Sequence, residues 1–359
     1  MQVVDLDSHI APKDQWDGVP EEFARFRPLQ IFDRLGRTVL VNPARSQGDA
    51  RPTVSGAATF ELKKPPSMGW FDPDIRLRDL DQLGVDMQML NPNLSPFAYE
   101  IEPKLAAALC RSSNQSIAAI VKKHPDRFLL SAILPTQDVG ASLDEARRCL
   151  DLGCHAFVLK TSQGGKNFDH HDFWPIYDLA ERENMGIILH PTSLDLGCVA
   201  QPGRLRMPWA QTAAFLAEYL VSLCSLIFGG VMDSYPKLRF CFQEAGATWI
   251  PWFLDRLDNT YDSDEAARRS AKLPAEYFES NFFFTVVPTE RALGYQCAEV
   301  SSRNLTLGTD YPHTDITGRF KAGAAFVNTK ELLLQREDLS QEAKENIAYK
   351  NAWRFLKGE

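Results

Sequence analysis

Four apolar runs in this chain end in residues able to bind a metal ion, and that placement constrains the fold more than any other feature. Asp7 and His9 follow Val3–Leu6, and His190 closes Gly186–Leu189. Glu244 follows Leu238–Phe242, and Asp310 with His313 follows Leu305–Gly308. Short apolar runs bounded by turn residues and alternating with helix-length segments indicate parallel strands of an α/β protein. Eight such runs can be traced: Gln2–Asp7, Met87–Leu90, Phe128–Leu134, His155–Lys160, Gly186–His190, Leu238–Glu244, Asn281–Val287 and Leu305–Thr309. Pro103–Lys123, Ser142–Leu152, Asp172–Asn184, Trp209–Phe228 and Trp249–Leu257 have helical patterning between them. The order predicts one (β/α)8 TIM barrel over residues 1–359. In such a barrel the C-terminal strand ends share one mouth, so side chains about 300 positions apart can meet on one ion.

Each residue also has a plainer explanation. A lone histidine after a strand is more often a cap or a surface group than a ligand, and Asp-x-His recurs by chance. Asp310–His313 could simply cap a following helix. What favours metal is recurrence, because four separate strand ends each deliver Asp, Glu or His. His155, His170 and His171 fall at a strand start and in a loop, away from the expected mouth, and are set aside.

With 359 residues the chain can bury a large core, and a barrel of about 250 residues plus insertions fits that length. The net charge of −8, without a basic stripe, argues against nucleic acid as a partner. The most apolar long stretch, Thr212–Gly230, contains Glu218 and reads as a barrel helix rather than a membrane span. No basic and apolar leader precedes the first strand, and seven cysteines lack a C-x-x-C pair. Both features lead us to expect a reduced, cytoplasmic protein.

Between Ile10 and Pro73 regular periodicity is lost. Trp16, Phe23, Phe26, Phe32, Phe60, Trp70 and Phe71 crowd this stretch. A long irregular segment inside a compact domain usually has a function. We expect residues 10–73 to form an insertion or lid over the mouth, assisted by the loop Pro191–Pro208. The C-terminal region 320–359 should be helical, over about Lys321–Gln335 and Gln341–Leu356.

The ordered motifs Asp7-x-His9, His190-Pro191-Thr192, Glu244–Arg256 and Gly308-Thr309-Asp310-Tyr311-Pro312-His313 resemble the amidohydrolase-related barrels, a metal-dependent hydrolase type that includes the aminocarboxymuconate-semialdehyde decarboxylase group. The resemblance spans the chain except the insertion. It implies that Asp7, His9, His190 and Asp310 are metal ligands. Glu244 departs from the family pattern, standing where a histidine usually follows strand six. A glutamate beside a divalent ion stays ionised and ligates it. Lys160, at the end of strand four, occupies a position that carries a carbamylated lysine in some binuclear relatives. Here it would pair with a carboxylate or touch substrate.

With Glu244 and His313 added, the ligand set Asp7, His9, His190, Glu244, Asp310 and His313 is large enough for two ions, and in that form the chain resembles the barrel-fold non-haem di-iron monooxygenases of platensimycin/platencin-type diterpenoid biosynthesis. That resemblance implies two Fe ions, with Glu244, Asp310 and His313 at the catalytic centre. It further implies O2 as co-substrate, an external electron donor and a bulky apolar acyl substrate linked to coenzyme A, in antibiotic biosynthesis. No G-x-G-x-x-G fingerprint for an internal flavin or nicotinamide is present. The alternative is a mononuclear Zn- or Mn-dependent hydrolase or non-oxidative decarboxylase acting on a small molecule. Neither reading sets the oligomeric state, and a homo-oligomer is compatible with both.

Overall fold

The computed structural model describes residues 1–26, 29–32, 38–41, 59–61, 68–92, 101–191, 210–267, 270–312 and 327–358. In chain order the strands are β1 (Val4–Asp5), β2 (His9–Ile10), β3 (Leu29–Phe32), β4 (Thr38–Val41), β5 (Thr59–Glu61), β6 (Met87–Pro92) and β7 (Phe128–Ile133). They continue with β8 (Ala156–Lys160), β9 (Ser162–Gln163), β10 (Lys166–Asn167), β11 (Gly186–His190), β12 (Arg239–Phe242), β13 (Phe282–Val286) and β14 (Leu305–Leu307). The principal sheet runs β1-β6-β7-β8-β11-β12-β13-β14, every pairing parallel, with β2 also on β6. Leu6 N donates to Leu307 O (3.1 Å) and Asp310 N to Asp7 O (2.8 Å), joining the last strand to the first. The result is the expected eight-stranded α/β barrel.

Side-chain alternation decides which residues fill the barrel. Val4, Met89, Leu129, Val158, Ile188, Cys241 and Phe283 form one buried cluster with residues of the C-terminal helix. Their sequence neighbours Phe240, Phe242, Phe282 and Phe284 pack in another with the surrounding helices. Period-two alternation separates two apolar faces here, as expected for strands buried on both sides. The Phe242 and Phe284 rings stack at 5.2 Å. Each such fully buried phenylalanine stabilises the fold by roughly 1.5–3 kcal/mol.

Helix boundaries follow local chemistry. Asp72 caps the helix Pro73–Leu83, its carboxylate accepting from Asp74 N and Ile75 N. Asp138 caps Val139–Asp151 in the same way, so that helix starts earlier than hydrophobic periodicity indicates. The C-terminal region forms Thr329–Leu334, then Gln341–Glu345, a π-helical turn over Asn346–Lys350, and Asn351–Lys357. The start of the expected helix at Lys321 lies outside the described residues. Phe355 of the final helix meets Phe283 at 5.6 Å and lies against Gly186, where an added Cβ would come within 2.5 Å of the ring. Since Gly186 opens β11, this helix closes the N-terminal end of the barrel.

The insertion differs from expectation where it is described. β3, β4 and β5 form an antiparallel three-stranded sheet, registered Leu29 to Val41 and Val39 to Glu61, rather than irregular chain. Its returning end is anchored: Ala11 N donates to Trp70 O (3.0 Å) and Arg76 Nε to Gly69 O (3.0 Å). Residues 27–28, 33–37, 42–58 and 62–67 of the insertion and residues 192–208 of the second mouth loop lie outside the described residues. No helix among the described residues is long and apolar enough to cross a membrane.

Candidate metal centre

Five of the six residues proposed as ligands come together at the C-terminal strand ends. His9 Nε2 lies 2.9 Å from Asp310 Oδ1, 3.3 Å from Glu244 Oε1 and 3.9 Å from Asp7 Oδ1. His190 Nε2 lies 2.9 Å from the same Glu244 oxygen, and the two imidazoles meet edge to face at 5.0 Å. The sixth, His313, lies outside the described residues. Lys160 ends β8 as the register partner of His190 and is buried.

The ligand atoms are aimed by their neighbours. His190 Nδ1 lies 2.7 Å from Pro191 O, which in the Nδ1–H tautomer leaves the Nε2 lone pair facing the cluster. Asp7 Oδ2 accepts from Glu244 N (2.8 Å) and Thr285 Oγ1 (2.7 Å), so Oδ1 is the oxygen turned inward. The Tyr219 hydroxyl reaches the carbonyls of Leu189 and Gln243, joining the residues that precede His190 and Glu244. Glu244 (φ 54°) and Asp310 (φ 52°) both adopt the left-handed backbone conformation. Such backbones cost roughly 1–3 kcal/mol for non-glycine residues and recur at functional sites.

Asp7 Oδ1, His190 Nε2 and Asp310 Oδ1 are buried without a well-formed hydrogen bond to any described residue, despite the short separations. Buried lone pairs converging without donors are what a cation satisfies. Electrostatics agree. Burial alone would lower the pKa of His9, but the nearby carboxylates of Asp310 and Glu244 outweigh it and raise it to about 10. Burial, and then the Glu244 charge, push Asp7 and Asp310 upward. Glu244 is held well below its ordinary range: burial opposes this, but His190 and His9 prevail. A divalent ion bound in such a cluster would displace a proton from imidazole.

Two groups among the described residues could hold an ion: His9, His190 and Glu244, and Asp7, His9 and Asp310. Both use His9, and one imidazole nitrogen ligates one cation. The five described residues therefore suit one ion, not the expected iron pair.

A buried polar layer lies behind the ligands. Asp5 accepts from Gln88 Nε2 (2.7 Å), Thr309 Oγ1 (2.6 Å), Thr309 N (3.0 Å) and Asp7 N (3.0 Å). Arg76 donates to Gln88 Oε1 (2.6 Å), Ser8 Oγ (3.3 Å) and the carbonyl of His9. Sequence reasoning missed the parts of Asp5, Arg76 and Thr285. The faint signals were a threonine interrupting Phe282–Val287 and an arginine within an otherwise amphipathic helix.

Fold and cluster together define a barrel with a candidate metal site whose five described residues come from separate strand ends. The chain belongs to the Amidohydrolase family, whose sequence profile matches residues 9–358. It is 30% identical to a 2-amino-3-carboxymuconate-6-semialdehyde decarboxylase of Dictyostelium discoideum over 98% of this chain and 91% of that protein. It is 29% identical to a gamma-resorcylate decarboxylase of Rhodococcus jostii, covering 68% and 78% respectively. Among solved structures, a dihydroxybenzoic acid decarboxylase from Polaromonas sp. JS666, with bound manganese and 2-nitroresorcinol, superposes with a TM-score of 0.68 at 20% identity, covering 99% and 97%.

These relatives overturn the monooxygenase expectation. These relatives are decarboxylases, the alternative reading, rather than di-iron oxygenases. The oxidoreductase, iron and antibiotic-biosynthesis assignments fall with it. The two Fe ions, O2, the electron donor and the coenzyme A-linked acyl group find no support among the relatives. Glu244 gave the misleading signal: added to the set with His313 it made room for a second ion, but its Oε1 lies between His9 and His190 in the first group.

Proposed function

We propose that this protein is a metal-dependent, non-oxidative decarboxylase of a small aromatic or dienoic carboxylic acid. The observation that carries the reading is the single-ion cluster of Asp7, His9, His190, Glu244 and Asp310, in a chain whose relatives are decarboxylases. Asp7 Oδ1, His9 Nε2, His190 Nε2 and Glu244 Oε1 would hold the ion, with Asp310 in reach of it. Manganese is the metal we expect, on the precedent of the Polaromonas enzyme. A divalent ion there supplies positive charge that binds substrate oxygens and draws electron density from the carbon bearing the carboxylate.

The chain's own groups supply the proton. Loss of CO2 leaves the electron pair of the broken C–C bond on carbon, and a proton must replace the carboxylate. Asp310 is suited to carry it, because burial and the Glu244 charge raise its proton affinity. Glu244 is held ionised, and the second oxygen of Asp7 is occupied by Glu244 N and Thr285. Asp310 is then reprotonated from solvent. Burial of the strand ends excludes bulk water, which strengthens each electrostatic contact.

The test is to load the purified protein with Mn2+ and offer gamma-resorcylate and 2-amino-3-carboxymuconate 6-semialdehyde without oxygen. One CO2 per substrate consumed is expected, lost on chelation and restored by Mn2+. Oxygen-dependent turnover, or hydrolysis without CO2 release, would sink the proposal.

A further inference from the structure

We infer that Thr285 is a positioning residue that decides which oxygen of Asp7 faces the metal ion and where the Glu244 backbone sits. The inference rests on the ion-site reading above and adds to it a residue that touches neither ion nor substrate. Thr285 belongs to β13, whereas Asp7 follows β1 and Glu244 follows β12. Its hydroxyl donates to Asp7 Oδ2 at 2.7 Å and accepts from Glu244 N at 3.0 Å. The hydroxyl has one proton, and the alternative acceptor, Phe242 O, is farther at 3.4 Å. Glu244 N also reaches Asp7 Oδ2 (2.8 Å), so three residues from three strand ends close a small hydrogen-bonded ring.

The ring has two consequences for an ion. Asp7 Oδ2 is engaged twice, so Asp7 offers only Oδ1 and would bind with one oxygen. Glu244 is held in its left-handed conformation by a backbone contact that valine at 285 could not make. The packing leaves no slack. A Cβ on Gly308 would fall 2.7 Å from both Asp7 Cβ and Thr285 Cβ, so the two side chains touch across a gap that only glycine leaves open.

Thr285→Val removes the hydroxyl at nearly constant volume, and Thr285→Ser retains it. Mn2+ affinity of the full-length, metal-stripped protein is measured by calorimetry, with melting of the metal-free form as the fold control. Thr285→Val should bind Mn2+ about 10–100-fold more weakly. Thr285→Ser should stay within a few-fold of the natural protein, and both should melt cooperatively without metal. Equal affinity in Thr285→Val and the natural protein overturns the inference while leaving the ion site intact. A Thr285→Ser variant as weak as the valine variant also overturns it, because the methyl group would then be what matters. If the natural protein binds no divalent ion, the site reading itself fails and this inference with it.

Discussion

The Arg76 guanidinium lies over the Tyr311 ring at 4.6 Å while bonding to the carbonyl of His9. Tyr311 follows Asp310 directly, and its hydroxyl donates to Asp79 (2.6 Å), on the same helix as Arg76. One buried cation therefore braces the first and last ligand-bearing segments, and through Gly69 it also holds the returning end of the insertion. Burial lowers its pKa to about 10, yet it remains charged at neutral pH. Arg76→Met should cost about 3 kcal/mol or more, because buried acceptors and Asp5 lose their counter-charge. Urea unfolding of the metal-free protein checks this. Stability equal to that of the natural protein would show that the brace contributes nothing.

Gly308→Ala should force Asp7 and Thr285 apart. Overpacking of this kind costs about 1–3 kcal/mol, and the displaced carboxylate should weaken metal retention more than it weakens the fold. Metal content after dialysis, compared with the melting temperature, separates the two effects. An alanine variant with full metal content would mean that the strand ends relax freely.

Asp310→Asn keeps an oxygen where the carboxylate was but cannot deliver a proton. Decarboxylation should fall by about 10²–10⁴-fold, with Mn2+ affinity changed less than about tenfold. A turnover number within a few-fold of the natural protein would assign the proton to another group.

His155 predicts a pH dependence remote from the metal cluster. Its Nδ1 accepts from Leu130 N (3.3 Å), and burial lowers its pKa below the ordinary 6.5. A depressed histidine pKa means that the unfolded chain takes up a proton that the folded one refuses. The stability it provides is complete above pH 6.5 and is lost as pH falls through that value, by at most about 1.4 kcal/mol per pH unit. His155→Gln should lose less stability than the natural protein between pH 7.5 and 5.5. Parallel unfolding curves would exclude the histidine as the source.

The barrel and the placement of the candidate ligands at one mouth were legible in the sequence because they rest on periodicity and on strand ends, both local properties. How many ions those residues suit was not. Asp7, His9, His190, Glu244 and Asp310 can be counted from the sequence, but that both ligand groups share His9 Nε2 is a distance relation. The sheet of the insertion was obscured because Leu29–Phe32 and Thr38–Val41 are runs of four residues without clean alternation, too short for periodicity to mark as strands. The parts of Thr285 and Gly308 were invisible for a related reason. Each matters only through an approach between strands far apart in the chain, and neither belongs to a residue class that signals metal.

Phe355, seated against Gly186 at the start of β11, makes the barrel a blind well. Among the described residues that end of the barrel is shut, so a site at the opposite end would be reached from its own rim. On the function proposed above, an acid entering and the carbon dioxide leaving would share that rim, and filling and venting would alternate in each cycle.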